Sequence, residues 1–429
     1  MTDSAERIVI VGAGVAGLRA AERLRELGFD GEVVIIGDER RRPYHRPAAS
    51  KQLLGGTARE SDLALRTYID LDARWRLGTM ATRLDTTHRL VHLPGGEELR
   101  YDGLVIATGV VPKHLAGAPR HDPRVRVLRT VEDAVAVRRA LAGNSKPAVV
   151  LGSGLIGCEF AATMRHLGRD VTIVGRSSTP LDRLGTAVGS AVTRLHRQHR
   201  AGLALGTSVR HWINLKDGIG LHLANSRLLV ASCVVLAIGS VPATDWMRGS
   251  GLVLEDGVLC EATLFAAGVN DVVAAGDVAR WPNLRFDEVP RRVEHWINAV
   301  EMGRAAAENL LAGQQSARPF TPIPRAWSGQ YEVRLQTVGL PALGTDTVRL
   351  AEGVTGYVRS GKLVGACTWD RPKAMLHWAE ELERQLPVPE PARPSRHARE
   401  PEITPLATVP TVPARTTTPP LGDLWLSGA

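Results

Sequence analysis

Cysteine is scarce in this 429-residue chain, and the four present (Cys158, Cys233, Cys260 and Cys367) are scattered with no C-x-x-C pair. That excludes a metal cluster and a redox-active dithiol, and it fits a reducing compartment. Long apolar runs are missing as well. None approaches the roughly 20 residues that a membrane-spanning helix needs. The opening MTDSAERIVIVGAG has no charged-then-apolar leader with a cleavage site, so a cytoplasmic protein is expected. Aromatic residues make up 4% of the chain, and no basic helix carries them interleaved. Nucleic acid is therefore not an expected partner, although the net charge is +8.

What remains is a globular mix, 44% hydrophobic and 23% charged. Proline marks one boundary, for ten of the 26 prolines fall in the last 43 residues, in runs such as VPTVPARTTTPP. That segment lacks apolar periodicity, so residues 387–429 are expected to form a disordered tail. It carries four basic and four acidic residues, which leaves the charge excess on residues 1–386.

Upstream, short β-branched runs alternate with helical patterns. Ile8–Val11, Glu32–Ile36, Leu104–Ala107, Ala148–Leu151, Val171–Val174, Cys233–Ala237 and Asp271–Ala274 read as buried parallel strands. The alternation predicts an α/β doubly wound architecture.

Two of these strands run into glycine-rich turns. The first gives Gly12-Ala13-Gly14-Val15-Ala16-Gly17, followed by helical apolar spacing. Gly12 makes the tight turn, Gly14 lets a pyrophosphate approach the backbone, and Gly17 lets helix pack on strand. The helix N-terminus adds free N–H groups and partial positive charge. The next strand ends at Asp38 and Glu39, where an acid takes ribose hydroxyls. The second turn, Gly152-Ser153-Gly154-Leu155-Ile156-Gly157, follows Ala148–Leu151 and opens a helix expected over Phe160 to Leu167. Two such units imply two dinucleotides or one fold repeated. Each is trailed by a strand and a small-residue turn, at Thr108-Gly109 and at Ile238-Gly239. The strand Asp271–Ala274 leads into Ala275-Gly276-Asp277 and presents Asp277 at a carboxyl edge of the sheet.

The order of these segments resembles the FAD-dependent ferredoxin reductases that serve cytochromes P450 and ring-hydroxylating oxygenases, the putidaredoxin-reductase-like group. The segments that carry the resemblance are RPYHRPAASK (42–51), LRTVEDA (128–134), AGDVA (275–279), RVEHWINA (292–299) and WSGQY (327–331). It implies two Rossmann-like domains of glutathione-reductase type and a small α+β C-terminal domain. FAD would occupy residues 1–112 with 244–318, NADPH or NADH residues 113–243, and the C-terminal domain would span 319–386. Among the FAD contacts it implies Gly14 and Ala16 on the pyrophosphate and Asp38 or Glu39 on the ribose. Lys51 would approach the flavin ring, Ala81 the adenine, and Arg129 the pyrophosphate. Asp277 would take the ribityl chain and Trp296 the pyrimidine end. Gly152, Gly154 and Gly157 would hold the phosphates of the nicotinamide nucleotide, with Glu159 near its amide. Arg46, Ile156 and Gly239 complete the expected contacts. Lys51 and Glu159 are the expected residues at the reacting centre.

The resemblance also excludes thiol chemistry, because RPAASKQLL carries no cysteine where disulfide reductases need a pair. Electrons would leave instead for an iron–sulfur ferredoxin, expected to be acidic and to meet a basic face that includes Arg46, Arg280, Arg291 and Arg292. Two departures from the family pattern stand out: Ala48-Ala49 replaces Pro-Leu, and Gly329 replaces an acid. A third concerns VTIVGRSS (171–178). NADH-using members close this strand with an acid. Here Gly175 removes that charge, and Arg176 can pair with a 2′-phosphate. NADPH is therefore expected to serve at least as well as NADH. The alternatives are an NAD(P)H oxidase or diaphorase and a nucleotide-sensing flavoprotein without turnover.

Overall fold

The run RIVIV at Arg7–Val11 is buried over its last four residues, as a strand covered on both faces must be. In the computed structural model, which describes residues 6–388, it is the middle strand of five. Their order is Val272–Ala274, Gly103–Ile106, Arg7–Val11, Glu32–Gly37 and Ala73–Leu77, all parallel. A second parallel sheet repeats this order with Val125–Val127, Cys233–Leu236, Ala148–Leu151, Val171–Val174 and Gly202–Ala204. The repeat extends to single bonds. The Gly12 N–H donates to the Ile36 carbonyl and the Gly152 N–H to the Val174 carbonyl, each at 2.8 Å. The α/β reading therefore holds. Reading by apolar runs missed the edge strands Ala73–Leu77, Val125–Val127 and Gly202–Ala204, which are short or only half-buried and lack such a run.

An antiparallel ribbon of Val110–Pro112 and Ser240–Pro242 joins the two units. A third sheet is antiparallel, in the order Arg325–Gln330, Val333–Gly339, Lys362–Trp369, Val354–Arg359 and Asp346–Ala351, with the helix Pro372–Gln385 packed on it. Of the tail expected over 387–429, residues 389–429 lie outside the described residues. Among the described residues no helix is long and apolar enough to cross a membrane.

The units differ in their cover. The helix Trp296–Ala312 lies along the first unit's helix Val15–Glu26, so close that a Cβ on Gly303 would stand 2.2 Å from the Ala16 carbonyl oxygen. The second unit's helix begins at Leu155, earlier than expected, and runs to His166. It packs against the π turn Ala49–Leu53 and the strand Arg325–Gln330.

Candidate active site

Both glycine turns have the stereochemistry their spacing demands. A Cβ on Gly12 would fall 2.1 Å from the Ala107 carbonyl oxygen, and one on Gly152 2.0 Å from that of Ala237. Both residues have strongly positive φ, +121° and +118°. Gly17 and Gly157 stand equally close to the carbonyls of Gly12 and Gly152. At Gly14 and Gly154, by contrast, none of the described residues lies within 4 Å of an added Cβ. Each turn thus leaves space at the glycine that should face a pyrophosphate, beside the N-terminus of a twelve-residue helix. The sites fit dinucleotides on geometry alone.

At the rim of the first unit the structure separates the two candidate acids. Glu39 is engaged. It accepts from Tyr44 Oη at 2.8 Å and from Arg46 Nη2 at 2.5 Å, and Arg46 also donates to Tyr44 Oη at 3.0 Å. Burial and the neighbouring Glu39 carboxylate push the Tyr44 phenol up, so it stays a donor. Arg46 is therefore a wall residue. Asp38 is exposed and, among the described residues, accepts only the Glu39 N–H, which leaves its carboxylate available to a ribose.

Deeper in the first unit, Gly276 and Asp277 follow the strand Val272–Ala274, with the Gly276 position packed toward Ala16. Burial pushes the Asp277 carboxyl up, and the Arg129 guanidinium 3.7 Å away opposes that shift. Trp296 opens its helix and meets His45 edge-on, ring centroids 5.0 Å apart. Sequence reasoning passed over His45. Burial, helped by Lys51, holds its imidazole down to about 4, so it is neutral at physiological pH. Ala81 is buried in the turn after Ala73–Leu77. Ala48 and Ala49 are buried as well, so the smaller pair is packed where Pro-Leu was expected. Gly239, with φ of +101°, turns the chain between Cys233–Leu236 and the connecting ribbon.

Between the units lies a contact that sequence spacing could not show. Glu159 is 3% exposed. Its Oε2 sits 2.6 Å from Lys51 Nζ and accepts from Ser50 Oγ at 2.8 Å, while its Oε1 accepts from Ser328 Oγ at 2.8 Å. It is not a solvated first-turn acid. The ion pair joins the turn Ala49–Leu53 of the first unit to the helix of the second.

The second unit is open where the first is covered. Val15 and Ala16 are 9% and 5% exposed, whereas Leu155 and Ile156 are 36% and 42%. Its rim corrects one expectation. Gly175 is the counterpart of Gly37, not of the acid. A Cβ on Gly37 would meet Ala13 at 2.5 Å, and one on Gly175 would meet Ser153 Oγ at 2.6 Å. Glycine is there for packing against the turn. The residue at the position of Asp38 is Arg176, which is exposed and carries no carboxylate, while neighbouring Ser177 donates to Asp182 at 2.7 Å.

The expected basic face is corrected too. Arg46 is bound to Glu39, Arg291 to Asp287, and Arg292 to both Asp256 and Glu294. Three of the four arginines are neutralised where they stand. All four cysteines are free and buried. Burial pushes the Cys233 and Cys260 thiols up to about 12, and Cys158 higher still, so none is a ready nucleophile.

Comparison with known proteins agrees with this geometry. The profile of the pyridine nucleotide-disulphide oxidoreductases matches residues 6–303. Rhodocoxin reductase of Rhodococcus erythropolis is 33% identical over 403 residues, 89% of this chain and 90% of that protein. The ferredoxin–NAD(+) reductase component of the p-cumate 2,3-dioxygenase system of Pseudomonas putida is 32% identical over 383 residues, 87% and 92% of the two. Among solved structures, the covalent putidaredoxin reductase–putidaredoxin complex matches with a TM-score of 0.82 at 29% identity. That match covers 89% of this chain and 94% of that one.

Proposed function

The chain belongs to the pyridine nucleotide-disulphide oxidoreductase family, and we propose that it passes electrons from NAD(P)H through FAD to an iron–sulfur ferredoxin serving a cytochrome P450 or an oxygenase. One observation carries this reading. Two units with complete dinucleotide turns, one covered and one open, are joined by the Lys51–Glu159 ion pair. FAD, held by these residues, would supply the chemistry that links a two-electron donor to a one-electron acceptor.

Everything else falls to the chain's own residues. The covered unit, residues 1–112 with 244–318, holds FAD as a resident group. There the 12–17 turn takes the pyrophosphate and Asp38 the ribose. Arg129 and Asp277 line the pyrophosphate and ribityl stretch, and Trp296 the pyrimidine end. The open unit, residues 113–243, takes and releases NAD(P)H on the 152–157 turn. Lys51, held by Glu159, would carry its ammonium toward the flavin ring, and Glu159 would close the nicotinamide side. No side chain is asked to donate or accept a proton in hydride transfer. Residues 319–386 cover the side from which electrons leave. Arg176 takes a 2′-phosphate, so NADPH is the preferred donor. The acidic character of the ferredoxin rests on the +8 charge and not on Arg46, Arg291 and Arg292.

The test is reconstitution. The purified FAD protein with NADPH and an acidic two-iron ferredoxin should reduce the ferredoxin in repeated turnovers, with a rate that falls as salt rises. Flavin reduction without transfer to any ferredoxin would remove the proposed partner, and a salt-insensitive rate would remove the acidic docking.

A further inference from the structure

The Glu159 carboxylate is held from two sides, and the second side belongs to the C-terminal sheet. Ser328 lies at 1% exposure on the strand Arg325–Gln330 and donates to Glu159 Oε1. Its oxygen accepts in turn from Gln330 Nε2 at 3.3 Å. Gln330 is also buried, and its side chain lies against His196 of the helix Gly185–Gln198, where it opposes the fall of the imidazole. Among the described residues, Gln330 Oε1 and His196 Nε2 are both buried and neither has a hydrogen-bond partner, so the two side chains lie against each other without a bond between them. Burial holds His196 down to about 4, and its Nδ1 lies 2.9 Å from Tyr331 Oη.

With His196 neutral, one assignment of protons fits the three hydrogen bonds present. Tyr331 O–H donates to His196 Nδ1, and beyond the unbonded contact Gln330 N–H donates to Ser328 and Ser328 O–H donates to Glu159. All donors run one way, toward the carboxylate. Tyr331 also holds a strained backbone, φ +56°, in the turn that ends this strand, and His199 stacks on it at 3.7 Å. Strain of this kind persists where the surroundings impose it.

We propose that Ser328 is a positioning residue for the Lys51–Glu159 pair, itself oriented by the column Gln330–His196–Tyr331. The column fixes the carboxylate oxygen that Lys51 does not use. Glu159 then cannot swing away, and the Lys51 ammonium stays where it favours reduced flavin. The inference rests on the proposed function for the place of the flavin and adds the C-terminal sheet to the parts that set its potential.

The test is a dye-equilibrium titration of the flavin in Ser328→Ala, Ser328→Thr and Tyr331→Phe, each loaded with FAD. This readout needs no NAD(P)H. At a fixed dye ratio, Ser328→Ala should raise the ratio of oxidised to reduced flavin about tenfold, some 30 mV for two electrons. Ser328→Thr keeps the hydroxyl and should stay within about twofold of the parent. Tyr331→Phe should shift the ratio the same way by about threefold and add nothing on top of Ser328→Ala. An unchanged Ser328→Ala, an equal shift in the threonine variant, or a silent or additive Tyr331→Phe would each overturn the proposal. A parent protein that titrates with dye but is not reduced by NAD(P)H would instead remove the functional reading and leave the column standing.

Discussion

The two nucleotide units repeat each other from strand order to single hydrogen bonds, yet they present opposite faces to a ligand. In the first, the residues after Gly14 are buried beneath the helix Trp296–Ala312, and the rim offers the acid Asp38. In the second, the residues after Gly154 are exposed, and the rim offers Arg176 at the same position. The glycine motif is common to both and so cannot say which ligand stays and which leaves. On the proposed reading, cover decides residence, and one rim side chain decides which ribose is accepted.

The sharpest way to break this comparison is to damage each turn in the same way. Gly12→Ala and Gly152→Ala each place a methyl about 2 Å from a carbonyl oxygen at a φ that alanine avoids. Each should cost roughly 2–4 kcal/mol locally. Gly12→Ala should yield protein without yellow colour. Gly152→Ala should stay yellow while its reduction by NAD(P)H slows at least about 100-fold, the equivalent of some 2.7 kcal/mol. Equal flavin loss in both variants would show that the units are not separable.

A smaller effect is expected at the rim. Arg176→Asp gives the second unit the acid that the first has at Asp38. It should lower the NADPH-to-NADH ratio of kcat/KM about 30-fold, or some 2 kcal/mol, by loss of a charge-assisted phosphate contact and added repulsion. An unchanged ratio would mean that Arg176 points to solvent and the rims do not discriminate.

Acid should change stability and leave the nucleotide comparison itself least affected. His45, His196 and His295 are each held down to about 4, chiefly by burial. A depressed histidine contributes stability that is full above its unfolded pKa and is lost as pH falls through the folded value. Stability should therefore decline from about pH 6.5 to 4, by roughly 1 kcal/mol per pH unit for each histidine that titrates. His196→Phe should flatten part of that decline in urea titrations at pH 7 and pH 5. Asp287 behaves differently. Burial would raise it, but Arg291 and Arg359 outweigh burial and hold it to about 2. Its contribution is complete above about pH 4 and falls away toward pH 2. Asp287→Asn should cost about 1 kcal/mol at pH 7, discounted for exposure, with little difference from the parent at pH 2.

Much of the fold was legible because buried parallel strands and glycine turns are local patterns. Ala148–Leu151 and Val171–Val174 stand where their apolar runs placed them. The rim was read one residue out of register. Gly175 looked like a missing acid, and only the overlap of its absent Cβ with Ser153 shows that it is a packing glycine. The arginines around 291 read as a basic face because a sequence does not show which carboxylates fold onto them. The bonds that hold Glu159 were out of reach for the same reason. Ser50 and Ser328 stand 109 and 169 residues from it, and no spacing rule connects them.

The central claim is that the open unit delivers a hydride to a flavin resident in the covered one. Anaerobic stopped-flow mixing of the yellow protein with NADPH and with NADH tests it most directly, read at the flavin absorbance. The account predicts bleaching with both, faster with NADPH, at a rate that saturates with nucleotide. A flavin that stays oxidised with either nucleotide would contradict it.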